Sequence, residues 1–306
     1  MRYRPFGRTG AAISSLTVKL GASTIMRGPD YTRQLIFQAL EGGVNAYVLE
    51  SADPVLAEVV GDALSVVERE LVSVTLTLGA GDGRRGSERD FSPEGLTHAI
   101  DRVLHVSGLG WVDVALLDQP GEDELPQMAL QALKVQRSSG RAKMLGVTGD
   151  GPVMDAYVST GAFDVLITPY HVNSSWQVRA RMREARDRDM AVLAVGFYPE
   201  AISRRGRPSP VVEPPKRGFF GFGAGRPEAP TEQRPADSFA FLHHIQGWTA
   251  EQLCLAFTLT DPAVASAVVD IDTSDRLMAL IDTPERDLPA GLAAQIEMAR
   301  VRSAAA

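Results

Sequence analysis

Short apolar, β-branched runs alternate along the whole chain with longer stretches whose apolar residues recur at three- and four-residue spacing. The runs predict eight strands, at 16–20, 44–49, 71–78, 112–117, 143–147, 163–168, 191–196 and 264–269. Between them, Leu35, Ile36, Ala39 and Leu40, or Leu96, Ile100, Val103 and Leu104, mark one face of a helix. Ser92-Pro93-Glu94 reads as an N-cap with proline at the first helical position, and Thr249 as a second N-cap. Strands that are apolar almost throughout are buried on both faces, as parallel strands are. Eight of them, each followed by a helix, predict an α/β fold closed as a (β/α)8 TIM barrel. The competing open, doubly wound sheet usually has fewer strands and a glycine-rich turn after the first one, and no such turn follows residue 20.

Two segments depart from a minimal barrel. The opening residues, turning at Gly7 to Gly10, read as a small β-hairpin placed to plug the N-terminal end of the barrel. Residues 197–240 hold eight of the nineteen prolines together with the run Gly218-Phe-Phe-Gly-Phe-Gly-Ala-Gly225. That is too long and too rich in breakers for a tight connection. It predicts an excursion after the seventh strand, over the C-terminal mouth where this fold places its sites. One barrel domain over 1–306 is expected.

Composition narrows the function classes. With 44% hydrophobic and 23% charged residues, the chain of 306 residues is ordinary for a globular protein. Its 31 Lys+Arg against 38 Asp+Glu leave a net charge of −7 with no basic run, which argues against a nucleic-acid partner. The single cysteine, Cys254, excludes an intramolecular disulfide and a zinc site built from several thiolates. No secretory h-region and no membrane-spanning apolar run is visible, so a cytoplasmic, soluble protein is expected.

Several segments, in order, resemble the aldo-keto reductase family. Arg4-Pro-Phe-Gly-Arg-Thr-Gly10 is similar to its opening Arg-x-Leu-Gly-Arg-Thr-Gly, and Gly43-Val-Asn45 to the Gly-Ile/Val-Asn that enters its second strand. Trp111-Val-Asp-Val-Ala-Leu-Leu117 is similar to Tyr-Ile-Asp-Leu-Tyr-Gln-Leu, Gly140-Arg-Ala-Lys-Met-Leu-Gly-Val147 to Gly-Lys-Ile-Arg-x-Ile-Gly-Val, and Asp261-Pro-Ala-Val-Ala-Ser266 to His-Pro-Ala-Val-Thr-Ser. The resemblance implies NADPH-dependent carbonyl reduction, with a tetrad of Asp, Tyr, Lys and His in which the tyrosine is the general acid.

At the matching positions the tetrad is missing. Val48 stands for the aspartate, Asp53 falls near the tyrosine, Leu76 for the lysine and Asp118 for the histidine. No tyrosine occurs between Tyr47 and Tyr157, and no lysine between Lys19 and Lys134, so these two losses survive any small shift of alignment. The positions that the resemblance assigns to cofactor are altered too: Thr148 and Gly149 replace a Ser-Asn pair, and Thr168 a glutamine. Asp270 and Asp272 replace the glycine and basic group of the phosphate site, and Leu280 falls near an asparagine. Only Tyr170 matches a tyrosine that stacks on nicotinamide in the family. No cofactor is expected, and NAD(H) is favoured over NADP(H) if one binds.

What remains divides between function and structure. Glu50, Asp53 and Asp118 are expected around the rim, as acid–base or metal-binding groups or as solvated loop acids. Lys19 is expected to point into the barrel and pair with Glu50, and His171 to lie beside the site or to be a satisfied loop histidine. No metal site has recognisable ligand spacing. Phe219, Phe220 and Phe222 either fold over the mouth or offer a contact to a protein partner. The leading expectation is a degenerate member of the family serving as a binding, scaffold or regulatory protein; the alternatives are a rearranged oxidoreductase and new chemistry on the three acids. A mouth filled by Lys19, Leu76 and the phenylalanines favours the first, and an open mouth with converging carboxylates the last.

Overall fold

Each of the eight apolar runs becomes a strand of one closed parallel barrel. The computed structural model describes residues 1–80, 89–122, 124, 127–203, 235–271 and 273–304. An antiparallel hairpin, β1 (Tyr3–Pro5) and β2 (Ala12–Ser14), precedes the barrel strands β3 (Leu16–Leu20), β4 (Ala46–Leu49), β5 (Ser73–Leu78), β6 (Val112–Asp118), β7 (Ala142–Thr148), β8 (Val165–Pro169), β9 (Ala191–Val195) and β10 (Val264–Asp270). Neighbours in the barrel follow chain order, and β10 closes it against β3 with Ala267 opposite Leu16 and Asp270 opposite Lys19.

The helices are α1 (Ala22–Ile25), α2 (Pro29–Glu41), α3 (Pro54–Leu64), α4 (Pro93–Ser107), α5 (Gln127–Ser138), α6 (Gly151–Ser159), α7 (Trp176–Asp187), α8 (Glu200–Ser203), α9 (Ala250–Thr258), α10 (Ser274–Ile281) and α11 (Leu292–Ala304). The expected caps form: Ser92 accepts from the Gly95 amide, and Thr249 from that of Gln252, whose side chain answers in a capping box. The run before α9 adds a 3-10 segment, Pro235–His244, which buries Phe239 and Leu242.

Alternation along the strands sorts the core into two layers. One set of strand positions faces the helices: Val18, Leu20, Tyr47, Leu49, Leu76 and Leu78 are buried with Leu35, Leu56, Val60 and Leu96 from the helices. Val48, Val114, Leu116, Met144, Ile167 and Leu193 fill the barrel instead. Phe6 and Ile13 of the hairpin complete that inner layer from below, so the hairpin is the plug the sequence suggests. Residues 204–234, with Phe219, Phe220 and Phe222, lie outside the described residues.

Candidate active site

The C-terminal ends of the strands surround a cavity of about 510 Å³. Its floor is apolar, made by Val48, Leu116, Ile167, Val195 and Val268, and its walls are polar. A hollow of similar size, about 520 Å³, lies at the other end between the hairpin and β9–β10. There Arg4 donates to the carbonyl oxygens of Leu259 and Val264, which braces the hairpin against the barrel. The fold's chemistry belongs at the C-terminal end.

Lys19 enters the mouth from β3. Register sets it between Asp270 of β10 and Val48 of β4. Its Nζ lies 2.8 Å from Glu50 Oε1 and 3.4 Å from Asp270 Oδ1. Glu50 Oε2 accepts from the Ala22 amide at 3.2 Å. Gly21 makes this approach feasible, since a Cβ there would stand 2.0 Å from Glu50 Oε2. Burial pushes the Glu50 carboxyl up, but the hydrogen bond and charge of Lys19, with the Ala22 amide, outweigh it and leave the group below its ordinary range. Burial likewise pulls Lys19 down, and Glu50 and Asp270 together raise it above the ordinary lysine value. Lys19 and Glu50 thus form the expected pair, with Asp270 as a third member.

The tetrad-matching positions divide. Val48, 3% exposed, forms part of the apolar floor. Asp118 ends β6 and lines the wall. Leu76 does not reach the mouth: it faces the helix layer, and Thr77, the next residue of β5, lines the cavity instead. Asp53 follows β4 at the rim but does not line the cavity; its Oδ1 accepts from the Leu56 amide at 2.9 Å and caps α3.

Two further expectations are corrected. Tyr170 is 4% exposed in the outer core and donates its hydroxyl to Asp261 Oδ2 at 3.0 Å, so its ring is not available to stack on a ligand in the mouth. Burial, then the Asp261 charge, raises its pKa well above the ordinary phenol value. His171 does not line the cavity either; its Nδ1 accepts from the Asn173 amide at 3.1 Å, and burial lowers its pKa against the opposing charge of Asp150.

Of the cofactor-matching positions, Thr148 and Asp270 line the mouth. Gly149 turns the chain at φ +149° after β7, beside Met154. Thr168 is buried on the outer face, where its hydroxyl accepts from Arg181 at 3.3 Å; the same guanidinium holds Asp150 and Asp155 at 2.5 Å. Leu280 is buried in the outer core, and Asp272 lies outside the described residues. After β10, Arg276 donates to Glu251 Oε1 at 2.7 Å and to the Asp270 carbonyl at 2.5 Å.

Sequence reasoning missed Thr77 and Gln119, both lining residues. The alternation Thr75-Leu-Thr-Leu78 carried the signal for the first. Gln119 holds a left-handed backbone, φ +45°, and with Asp118 offers its carbonyl oxygen to Arg89, at 2.8 and 2.5 Å respectively. Among the described residues no three of His, Cys, Asp and Glu gather as metal ligands, and no helix is long and apolar enough to cross a membrane.

The structure of the aldo-keto reductase AKR11C1 from Bacillus halodurans in its holo form superposes with a TM-score of 0.76 at 18% identity, covering 98% of this chain and 96% of that one. Its apo form gives a TM-score of 0.71 at 17% identity with the same coverage. At this identity the likeness concerns the fold. No curated protein sequence matches the chain. The model of the aldo/keto reductase family matches residues 43–300. That span runs from the entry to β4 through most of α11, and the chain belongs to the aldo/keto reductase family.

Proposed function

We propose that this family member no longer reduces carbonyls and works as a binding or regulatory protein that takes small ligands at the barrel mouth. Leu76 does not fill the mouth, but two of its carboxylates, Glu50 and Asp270, are engaged by Lys19 and only Asp118 is left, so the observation that carries the reading is the set of side chains on the cavity wall. Carbonyl reduction needs a general acid whose pKa its neighbours have lowered. Among the described residues the mouth offers no tyrosine or histidine, and its one lysine is engaged by Glu50 and Asp270.

The residues present do not fit the family's dinucleotide. Among the described residues that line the mouth, one lysine stands against three carboxylates, Glu50, Asp118 and Asp270, a formal charge of −2. A phosphate oxygen about 4 Å from a carboxylate costs about 4 kcal/mol at an effective dielectric of about 20. Arg276, which follows β10, is already bound to Glu251. NAD(H), without the third phosphate, is opposed less than NADP(H), and Asp270 is exposed enough to meet a ribose hydroxyl. A rearranged NAD(H)-dependent reductase is therefore the second reading.

Following NADPH and NADH oxidation with aliphatic and aromatic aldehydes tests the proposal. The expected result is no turnover above the protein-free rate with either dinucleotide. Turnover of about 1 s⁻¹ or faster, abolished by Lys19→Met or Asp118→Asn, overturns it and favours the rearranged reductase.

A further inference from the structure

We infer that the β5–β6–β7 side of the mouth is a receptor for a small organic cation, a primary ammonium carried on an apolar body. The inference rests on the mouth being a ligand site and names the ligand class.

Three acceptors line the cavity there without partners among the described residues: the Thr77 and Thr148 hydroxyls and the Asp118 carboxylate. Thr77 is only 8% exposed, yet its side chain borders the cavity with no hydrogen bond to it from the described residues. Asp118 stands opposite Thr148 in the β6–β7 register, and Thr77 opposite Leu116, one strand over and two residues below Asp118 on the same face. All three therefore face the cavity from adjacent strands β5, β6 and β7. Asp118 and Thr148 are partly exposed to the cavity, so all three keep hydrogen-bonding capacity that a ligand seated on the apolar floor can use.

A primary ammonium supplies three donors and the opposite charge, whereas an alcohol supplies one donor and a carboxylate none. Charge-assisted hydrogen bonds are roughly twice as strong as neutral ones, so the cation gains most from Asp118. Among the described residues no protein cation takes that place. Arg89 spends its contacts on the Asp118 and Gln119 carbonyl oxygens and on Glu124 at 3.5 Å, and Lys19 is held by Glu50 and Asp270. Below the acceptors, Leu116, Ile167 and Val48 offer a surface for an alkyl or aryl body.

Calorimetric titration of the whole chain with n-hexylammonium, hexan-1-ol and hexanoate tests this. The expected result is millimolar binding of the ammonium, at least about tenfold tighter than either of the others. Asp118→Asn is expected to weaken the ammonium about tenfold and leave the alcohol unchanged, with Thr148→Val as a milder second variant and circular dichroism verifying that both fold. Equal binding of all three, tighter binding of hexanoate, or no ammonium binding by folded wild-type protein overturns the inference. Micromolar binding of NADPH in a parallel titration overturns the loss of the reductase site instead, whatever the amine does.

Discussion

Asp53 shows how one side chain changes meaning once its hydrogen bonds are known. In sequence it is a rim acid beside Glu50; in the fold it satisfies the Leu56 amide at the start of α3. Asp53→Ala is expected to lower stability by about 1 kcal/mol in urea denaturation while leaving ligand binding at the mouth unaltered. A loss of binding without loss of stability would return Asp53 to the site. Lys19 and Glu50 make the second case at this scale. Glu50 titrates below its ordinary value in the folded chain, so its contribution is present above the unfolded value and is lost as pH falls through the folded one. Lys19 is raised, so its contribution is present below the unfolded value and is lost as pH rises through the folded one. The pair therefore stabilises on a plateau across neutral pH, by less than about 1 kcal/mol because both side chains are partly exposed. Lys19→Met is expected to raise the Glu50 carboxyl titration followed by NMR; an unchanged midpoint would contradict the pairing.

Helix α3 meets α4 at Gly61, where a Cβ would lie 2.1 Å from the Ser107 carbonyl oxygen. The obstacle is backbone, so Gly61→Ala is expected to cost about 1–3 kcal/mol by separating the two helices, measured as a lower urea midpoint. A neutral effect would show that the helices separate freely. The elements themselves were legible in the sequence because a parallel barrel strand is apolar on both faces. Their ends were less so. Residues 71–72 leave the third run because Arg69–Leu71 form a 3-10 turn, and 163–164 leave the sixth because the Asp164 carboxylate takes the Leu145 amide. The same two-sided burial hid the direction of each side chain. Leu76 and Thr77 are both buried, and only barrel closure sends the threonine inward. Tyr170 follows Pro169 at the end of β8, where its ring turns to the outer core and Asp261. Lys19, Glu50 and Asp118 were readable because charged groups at apolar strand ends have only the mouth to occupy.

The molecule as a whole has the family's barrel, closed at one end by the hairpin plug and open at the other into the C-terminal cavity. Scaffold and chemistry separate cleanly in this fold, since the outer and inner core layers do not depend on which polar side chains stand on the rim. The net charge of −7 and the carboxylates around Lys19 set the field at the mouth against a polyanionic ligand. Calorimetric titration of the whole chain with NADPH and NADH tests the central claim most directly. The expected result is no saturable heat with either below about 1 mM, an affinity weaker than about −4.1 kcal/mol. Saturable binding of either dinucleotide at micromolar concentration would contradict the account, because the mouth would then hold the family's nucleotide.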